Sequence, residues 1–357
     1  MSRPREGSAV RIGVNALYLI PGGVGGTEIY LRSLLPALAS IDSSNEYVVF
    51  TNQETGADLV PTAANFSRHP LNIAASFRPG RILYEQLVLP FASHVDVMFN
   101  PGFTAPIAHP RNVTVFHDLQ HKLHPEHFRW FDLPFWNLLL WAAAKRSHAL
   151  ISVSTATADD VQRYYGMPST VVPHGVDPAF FEIARHRVPE DFLLCVSTLH
   201  PHKNIDRLVR AFARLRQTDP NTRLVLAGIK GFNTTMVQSE IARLKLDDAV
   251  HVTGWIPQDQ LLDLYRRARA FVYPSTFEGF GMPVIEALAA EIPLACSDIE
   301  PLKSLASPEA LLFDPKSEES MASALRRVLQ SEPKPNDRIR SFTWKRTAEL
   351  TLRVLNR

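Results

Sequence analysis

Short apolar runs recur along the chain, and between them apolar residues return every three or four positions. The runs at residues 10–14, 47–50, 95–99, 113–116, 149–153 and 170–173 predict strands. A second series follows at 192–196, 224–227, 250–252, 271–273, 294–296 and 310–313. Helices are expected at 28–40, 204–216, 258–268 and 283–290, with Pro283 in the first turn, where its missing N–H costs nothing. Most of these strand runs are apolar throughout rather than alternating. Strands of that kind belong in a parallel sheet covered on both faces by helices. The expected fold class is therefore α/β, with two similar doubly wound, Rossmann-like domains. A charged segment at 177–191, carrying Pro178 and Pro189, marks the linker. The domains are then residues 1–180 and 181–340. In such sheets ligands bind beyond the carboxyl ends of the strands.

Composition narrows the function. A chain of 357 residues, 45% hydrophobic and 21% charged, can fill two ordinary cores. A net charge of +2 argues against a dedicated nucleic-acid binder. The two cysteines, Cys195 and Cys296, lie in apolar strand-like runs and are expected to be reduced core residues, which fits the cytoplasm. Residues 1–9 are polar and lack the apolar centre of a signal peptide. The apolar stretch at 131–144 is too short and too interrupted to span a bilayer.

The richest segment runs Pro274-Ser275-Thr276-Phe277-Glu278-Gly279-Phe280-Gly281-Met282-Pro283-Val284-Ile285-Glu286-Ala287. It joins a buried strand to a helix, with Glu278 on the loop and Glu286 within the helix. Backbone N–H groups at a helix start favour an anion, phosphate above all. Carboxylates close by can accept hydrogen bonds from sugar hydroxyls. Diphosphate plus sugar describes a nucleotide-sugar. Three further segments occupy strand ends. A glycine-rich loop holds Gly22, Gly23, Gly25 and Gly26, without the lysine of a Walker A loop. His117-Asp118 closes a buried strand. Leu199-His200-Pro201-His202-Lys203-Asn204 places a lysine at a helix start, a point charge suited to phosphate.

The Glu278–Glu286 segment resembles the E-x7-E signature of retaining glycosyltransferases of family 4, and the likeness extends over most of the chain. That resemblance implies the GT-B fold, in which the two Rossmann-like domains face each other across a cleft. It also implies that the C-terminal helix, residues 341–357, crosses back onto the N-terminal domain. By the same resemblance the first domain binds acceptor and the second binds donor. Lys203 and the loop N–H groups, Gly25 and Gly26 among them, would meet the diphosphate. Glu278 would bind sugar hydroxyls with the N–H groups of Gly279, Phe280 and Gly281. Glu286 would hold the ribose, and His117 would orient the sugar. The usual arginine of the lysine motif is absent, since Thr198 and His202 occupy its two positions; the open alternatives are His202 or His200, protonated beside the phosphates, a weaker site, or a cation from elsewhere. Val171-Val172-Pro173-His174-Gly175-Val176-Asp177 matches the family's marker at the end of the first domain. The loop around Trp255 resembles the one that lines the nucleobase pocket.

The implied function is transfer of a sugar, with retention, from a nucleotide-diphosphate donor to a hydroxyl of a glycan or lipid-linked acceptor in polysaccharide assembly. GDP-mannose is favoured as donor; UDP- and dTDP-sugars remain open. No cofactor and no metal are expected, although His117, His121, His124 and His127 fall close together in sequence. Arg78, Arg81, Arg129, Trp130, Phe131, Phe135 and Trp136 leave open a peripheral seat on the inner membrane face through the N-terminal domain. Two rival readings are a nucleotide-sugar epimerase on the same architecture and a non-catalytic binding protein derived from a transferase.

Overall fold

The computed structural model describes residues 9–23, 25–332 and 334–357. The polar start at residues 1–8 and Val24 of the glycine-rich run lie outside the described residues. The chain divides into two units. Unit 1 runs to Gly175 and resumes at Trp344–Arg357; unit 2 is Val176–Thr343. These divisions fall a few residues from the expected 180/181 and 340/341.

The strands of unit 1 are β1 (Arg11–Asn15), β2 (Glu46–Thr51), β3 (Phe66–Pro70), β4 (Val97–Asn100), β5 (Asn112–Phe116), β6 (Ala149–Ser152) and β7 (Thr170–Val171). All pairs are parallel, in the order β3-β2-β1-β4-β5-β6-β7. The helices are α1 (Gly26–Ile41), α2 (Arg78–Leu87), α3 (Leu89–Ala92), α4 (Gln120–Leu123), α5 (Leu133–Arg146) and α6 (Thr155–Tyr165). Ile12, Val14, Val97, Phe99, Val113 and Val115 are fully buried, as central strands covered on both faces require. The expected strands are found within a few residues. β3 was not expected, because Ser67, Arg68 and His69 mask it; it is an edge strand in which only Phe66 is buried.

Unit 2 contains α7 (Pro178–Ile183), β8 (Glu190–Val196), α8 (Ile205–Arg216), β9 (Arg223–Ala227), α9 (Thr234–Arg243), β10 (Val250–Gly254), α10 (Gln258–Arg267), β11 (Ala268–Tyr273), α11 (Met282–Ala289), β12 (Leu294–Ser297), α12 (Leu302–Leu305), β13 (Leu311–Phe313) and α13 (Glu318–Leu329). Its parallel sheet runs β10-β9-β8-β11-β12-β13. Ile205, Leu208, Val209, Phe212 and Leu215 form the buried stripe of α8, spaced three and four apart, and join one core with Leu193, Leu226 and Leu325. Each such side chain contributes about 1.5–3 kcal/mol by leaving water. The segment expected as a linker is structured instead. Asp177 caps α7 by accepting from the Ala179 N–H at 2.9 Å, and Phe180 is buried. The last helix, α14 (Trp344–Leu355), packs along α1 within unit 1.

Both sheets reverse strand order once: between β1 and β4 in unit 1, and between β8 and β11 in unit 2. Loops leaving these paired strands diverge, which opens a crevice for ligand.

Candidate active site

In unit 2 the two loops at the reversal carry the sequence motifs. After β8 the chain makes one tight turn, Pro201–Lys203, and Asn204 (φ 58°, ψ 30°) leads into α8. Asparagine tolerates this left-handed geometry better than most residues. Its Nδ2 donates to the carbonyls of Pro274 at 3.0 Å and Pro315 at 2.8 Å. The Thr276 N–H and Oγ1 both donate to the His202 carbonyl, at 2.8 and 3.1 Å. Locked loops bring Lys203 Nζ to Glu278 Oε1 at 2.6 Å, and Lys203 also donates to the Tyr273 hydroxyl at 3.1 Å. The two charged side chains keep only 15% and 10% of their surface exposed. Burial, and next the Glu278 carboxylate, push the Tyr273 phenol well above its ordinary range, so it stays neutral. A lysine held this way is a preorganised cation, and its partner an acceptor for hydroxyls.

Gly281 (φ 108°) precedes α11, and a Cβ there would lie 2.5 Å from Leu302 Cδ2, so only glycine fits. Phe280 turns its ring inward, 6.2 Å from that of Phe342. Its contribution to a ligand is thus limited to its backbone. Glu286 Oε2 accepts from the Tyr265 hydroxyl at 2.7 Å. Burial raises the Glu286 carboxyl to about 7, opposed by that hydrogen bond and reinforced by Asp177. His202 stacks on His200, with centroids 5.9 Å apart, and His200 packs against Phe232, a residue 88% exposed. Trp255 follows Gly254 (φ 70°) and is exposed.

Tyr273 and Tyr265 were not foreseen. Tyr273 was legible as the last residue of the motif strand. Tyr265 reaches Glu286 from α10, and nothing in the sequence pairs those two positions.

Unit 1 holds the remaining motif residues. His117 follows β5, and its Nε2–H donates to the Pro101 carbonyl at 2.8 Å. That bond fixes the tautomer and leaves Nδ1 as the acceptor nitrogen. Burial lowers its pKa to about 4, so the ring is neutral. Tyr30 of α1 packs edge-on to His117 at 5.0 Å and also contacts His174 and Trp344. Gly25 (φ 59°) caps α1, and Gly26 is its first residue. Nothing lies within 4 Å of a Cβ built on either. The structure thus groups Lys203, Glu278, Gly279–Gly281, His202 and Glu286 in unit 2, and His117, Gly25 and Gly26 in unit 1.

The four histidines do not gather at one place; His124 and His127 stay together. His121 is buried, with Nε2 2.8 Å from the Tyr165 hydroxyl. His124, Glu126 and His127 have ligand atoms within 4.8 Å of one another on the surface. Cys195 and Cys296 are free and buried, and burial pushes both thiols up to about 12.

Residues 177–342 match the model for glycosyl transferases group 1, and residues 24–180 match that for Glycosyltransferase Family 4. Together the two span unit 2 and most of unit 1, and the chain belongs to the group 1 glycosyltransferases, with the GT-B fold. It is 24% identical over 250 residues to the O-antigen chain mannosyltransferase B of Escherichia coli, covering 66% of each chain. It is 28% identical over 230 residues to the O-antigen chain mannosyltransferase RfbU of Salmonella typhimurium, covering 64% of this chain and 63% of that one. The matched region thus spans about two thirds of those relatives' length. Anabaena Alr3699/HepE, solved with UDP-glucose, superposes with a TM-score of 0.69 over 97% of this chain and 99% of that one, at 16% identity.

Proposed function

We propose that this chain transfers a sugar from a nucleotide-diphosphate donor to a hydroxyl of a glycan or lipid-linked acceptor, with retention at the anomeric carbon and no metal. The observation that carries the reading is the Lys203–Glu278 pair at the β8/β11 reversal, beside the Gly279–Gly281 loop and the start of α11. An incoming diphosphate competes for Lys203 and releases Glu278 to accept from sugar hydroxyls. Diphosphate then leaves as the sugar gains positive charge, and stabilising that leaving charge is the enzyme's main contribution. Glu286 binds the ribose. Neutral His117 offers Nδ1 to a sugar hydroxyl. Glycine at position 26 answers neither strain nor crowding, which fits close approach by a ligand.

GDP-mannose is the favoured donor, supported by the mannosyltransferase relatives. Thermal shift against GDP-, UDP-, dTDP- and ADP-linked sugars tests the donor. A concentration-dependent rise with one nucleotide class supports the reading; no rise with any defeats it. NMR of the product's anomeric configuration tests retention.

A seat on an anionic membrane surface, at the inner face in the cytoplasm, is part of this reading. Phe77, Leu83, Leu87 and Phe91 from α2, α3 and their flanks are exposed, as are Trp130, Phe131, Phe135, Leu138 and Trp141 from α5 and the segment before it. Arg78 of α2 lies over the Trp136 ring at 5.2 Å, joining the two groups, and Arg129 lies over Phe131. Apolar rings mixed with arginines suit a headgroup interface. No described helix is long and apolar enough to cross a membrane. Cosedimentation with anionic vesicles but not neutral ones is the expected result.

A further inference from the structure

The reversal of strand order in unit 2 is occupied by charged groups of evident use. The matching reversal in unit 1 also gathers buried polar side chains, and the reading so far gives them no task. Asn15 and Asn100 end β1 and β4, and Asn15 Nδ2 donates to Asn100 Oδ1 at 3.2 Å. Beside them α2 supplies Arg81, 6% exposed, and Glu85, fully buried. Glu85 is well served. Thr104 Oγ1 donates to its Oε2 at 3.0 Å and Gln86 Nε2 to its Oε1 at 3.1 Å.

Arg81 is not. Its Nη1 is buried and has no hydrogen-bond acceptor; it meets Glu85 Oε2 only as an ion pair at 3.8 Å, beyond hydrogen-bond range. Burial pushes the Glu85 carboxyl upward, and the Arg81 charge opposes that shift. Arg78 adds a second positive charge nearby, and Tyr18 is the other titratable neighbour. The Tyr18 hydroxyl donates to the Thr27 carbonyl at 3.3 Å and so ties the glycine-rich loop to the same place. An arginine N–H buried without an acceptor is rare in a native protein and calls for a partner. Here it lies where an open α/β sheet takes its ligand.

We propose that the β1/β4 reversal of unit 1 is a binding site for an anionic group carried by the acceptor sugar, a phosphate or a carboxylate, to which Arg81 donates. The proposal rests on the transferase reading, in which unit 1 receives the acceptor. It narrows the acceptor to charged glycans or sugar phosphates. Arg81 is a binding residue here, separate from the donor machinery of unit 2.

Isothermal titration of the full chain with four probes tests it: mannose 1-phosphate, glucuronate, inorganic phosphate and methyl α-mannoside. Both anionic sugars should bind at least tenfold tighter than methyl α-mannoside and tighter than inorganic phosphate. Arg81→Met should abolish that preference, and Lys203→Ala should leave it intact. The proposal fails if wild type shows no charge preference, or if the preference survives Arg81→Met. It fails equally if the preference disappears in Lys203→Ala, which would put the anion in the donor site. Inorganic phosphate binding as tightly as mannose 1-phosphate would mean a free-anion site and overturn the acceptor assignment. Should Arg81→Met not fold, Arg81→Lys keeps the charge with fewer donors; a fivefold or greater loss supports the proposal, and wild-type binding refutes it. Nucleotide-sugar thermal shifts should be unchanged in the Arg81 variants. If wild type binds no nucleotide-sugar at all, the transferase reading fails while the anion measurement still stands on its own.

Discussion

Asn204 offers the sharpest test of how the two motif loops of unit 2 are held together. Asn204→Ala removes two hydrogen bonds to carbonyls, Pro274 at 3.0 Å and Pro315 at 2.8 Å, and one from Arg207 Nη1 to Oδ1 at 2.8 Å. Arg207 also donates to the Pro315 carbonyl at 3.0 Å, so that acceptor keeps a partner. The Pro274 carbonyl loses the Asn204 donor. At about 1 kcal/mol for each lost amide bond and somewhat more for the charged one, the loss is about 2–4 kcal/mol. Alanine must also hold φ 58°, which costs roughly 1–2 kcal/mol more. Asn204→Gly loses the same bonds without that strain, so the two variants should differ by about 1–2 kcal/mol. Urea denaturation of both variants gives the numbers. Thermal shift with the donor then shows whether Lys203, one residue away, has lost its place. A loss below about 1 kcal/mol in Asn204→Ala, with donor binding unchanged, would refute the claim that this side chain sets the geometry of both loops.

Other expectations concern the chemistry itself. Lys203→Ala should cut turnover by about 10²-fold or more, as for a lost charge-stabilising group, and a near-normal rate in a coupled nucleotide-release assay would place the phosphates elsewhere. Tyr273→Phe keeps the fold but removes the hydroxyl that accepts from Lys203; kcat should fall while the melting temperature changes little, and wild-type kinetics would dismiss Tyr273 as a positioning group. Glu286, raised to about 7, is protonated below that pH in the folded protein, which then holds more protons than the unfolded chain. Its contribution to stability therefore falls as pH rises from its ordinary 4.5 through 7, while donor affinity should rise across neutrality as the carboxylate forms. Glu286→Gln should flatten the affinity profile, and an unchanged slope would assign it to another group. Chelator should leave transfer intact; complete loss would give the His124–Glu126–His127 group a catalytic part.

The sequence made the architecture legible because buried parallel strands are apolar on both faces and cannot be hidden. β3 escaped because an edge strand with one buried residue carries no such run. α7 escaped because Pro178 and the charges around it look like a linker, although a proline in a helix's first turn behind a capping aspartate is also a start signal. Lys203, Glu278 and Glu286 were legible through their local motifs. Tyr265 and Arg81 were not, because what distinguishes them is a partner, or the lack of one, supplied by distant segments.

Unit 1 is discontinuous, and this has a consequence for its biosynthesis. Trp344 packs on Tyr30 and His174, and Thr347 Oγ1 donates to the Pro173 carbonyl at 2.8 Å. Asn45 Nδ2 donates to Asn356 Oδ1 at 3.3 Å. Every one of these contacts waits for the whole of Val176–Thr343 to be translated. At roughly 5–20 residues per second that delay is about 10–30 s. Unit 2, contiguous in sequence, has all its residues before α14 is made. The first unit to begin is the last of the two to finish, its helix α1 left without its cover until α14 emerges. Loss of α14, by a frameshift or a protease, would therefore strike the fold of the unit that was started first.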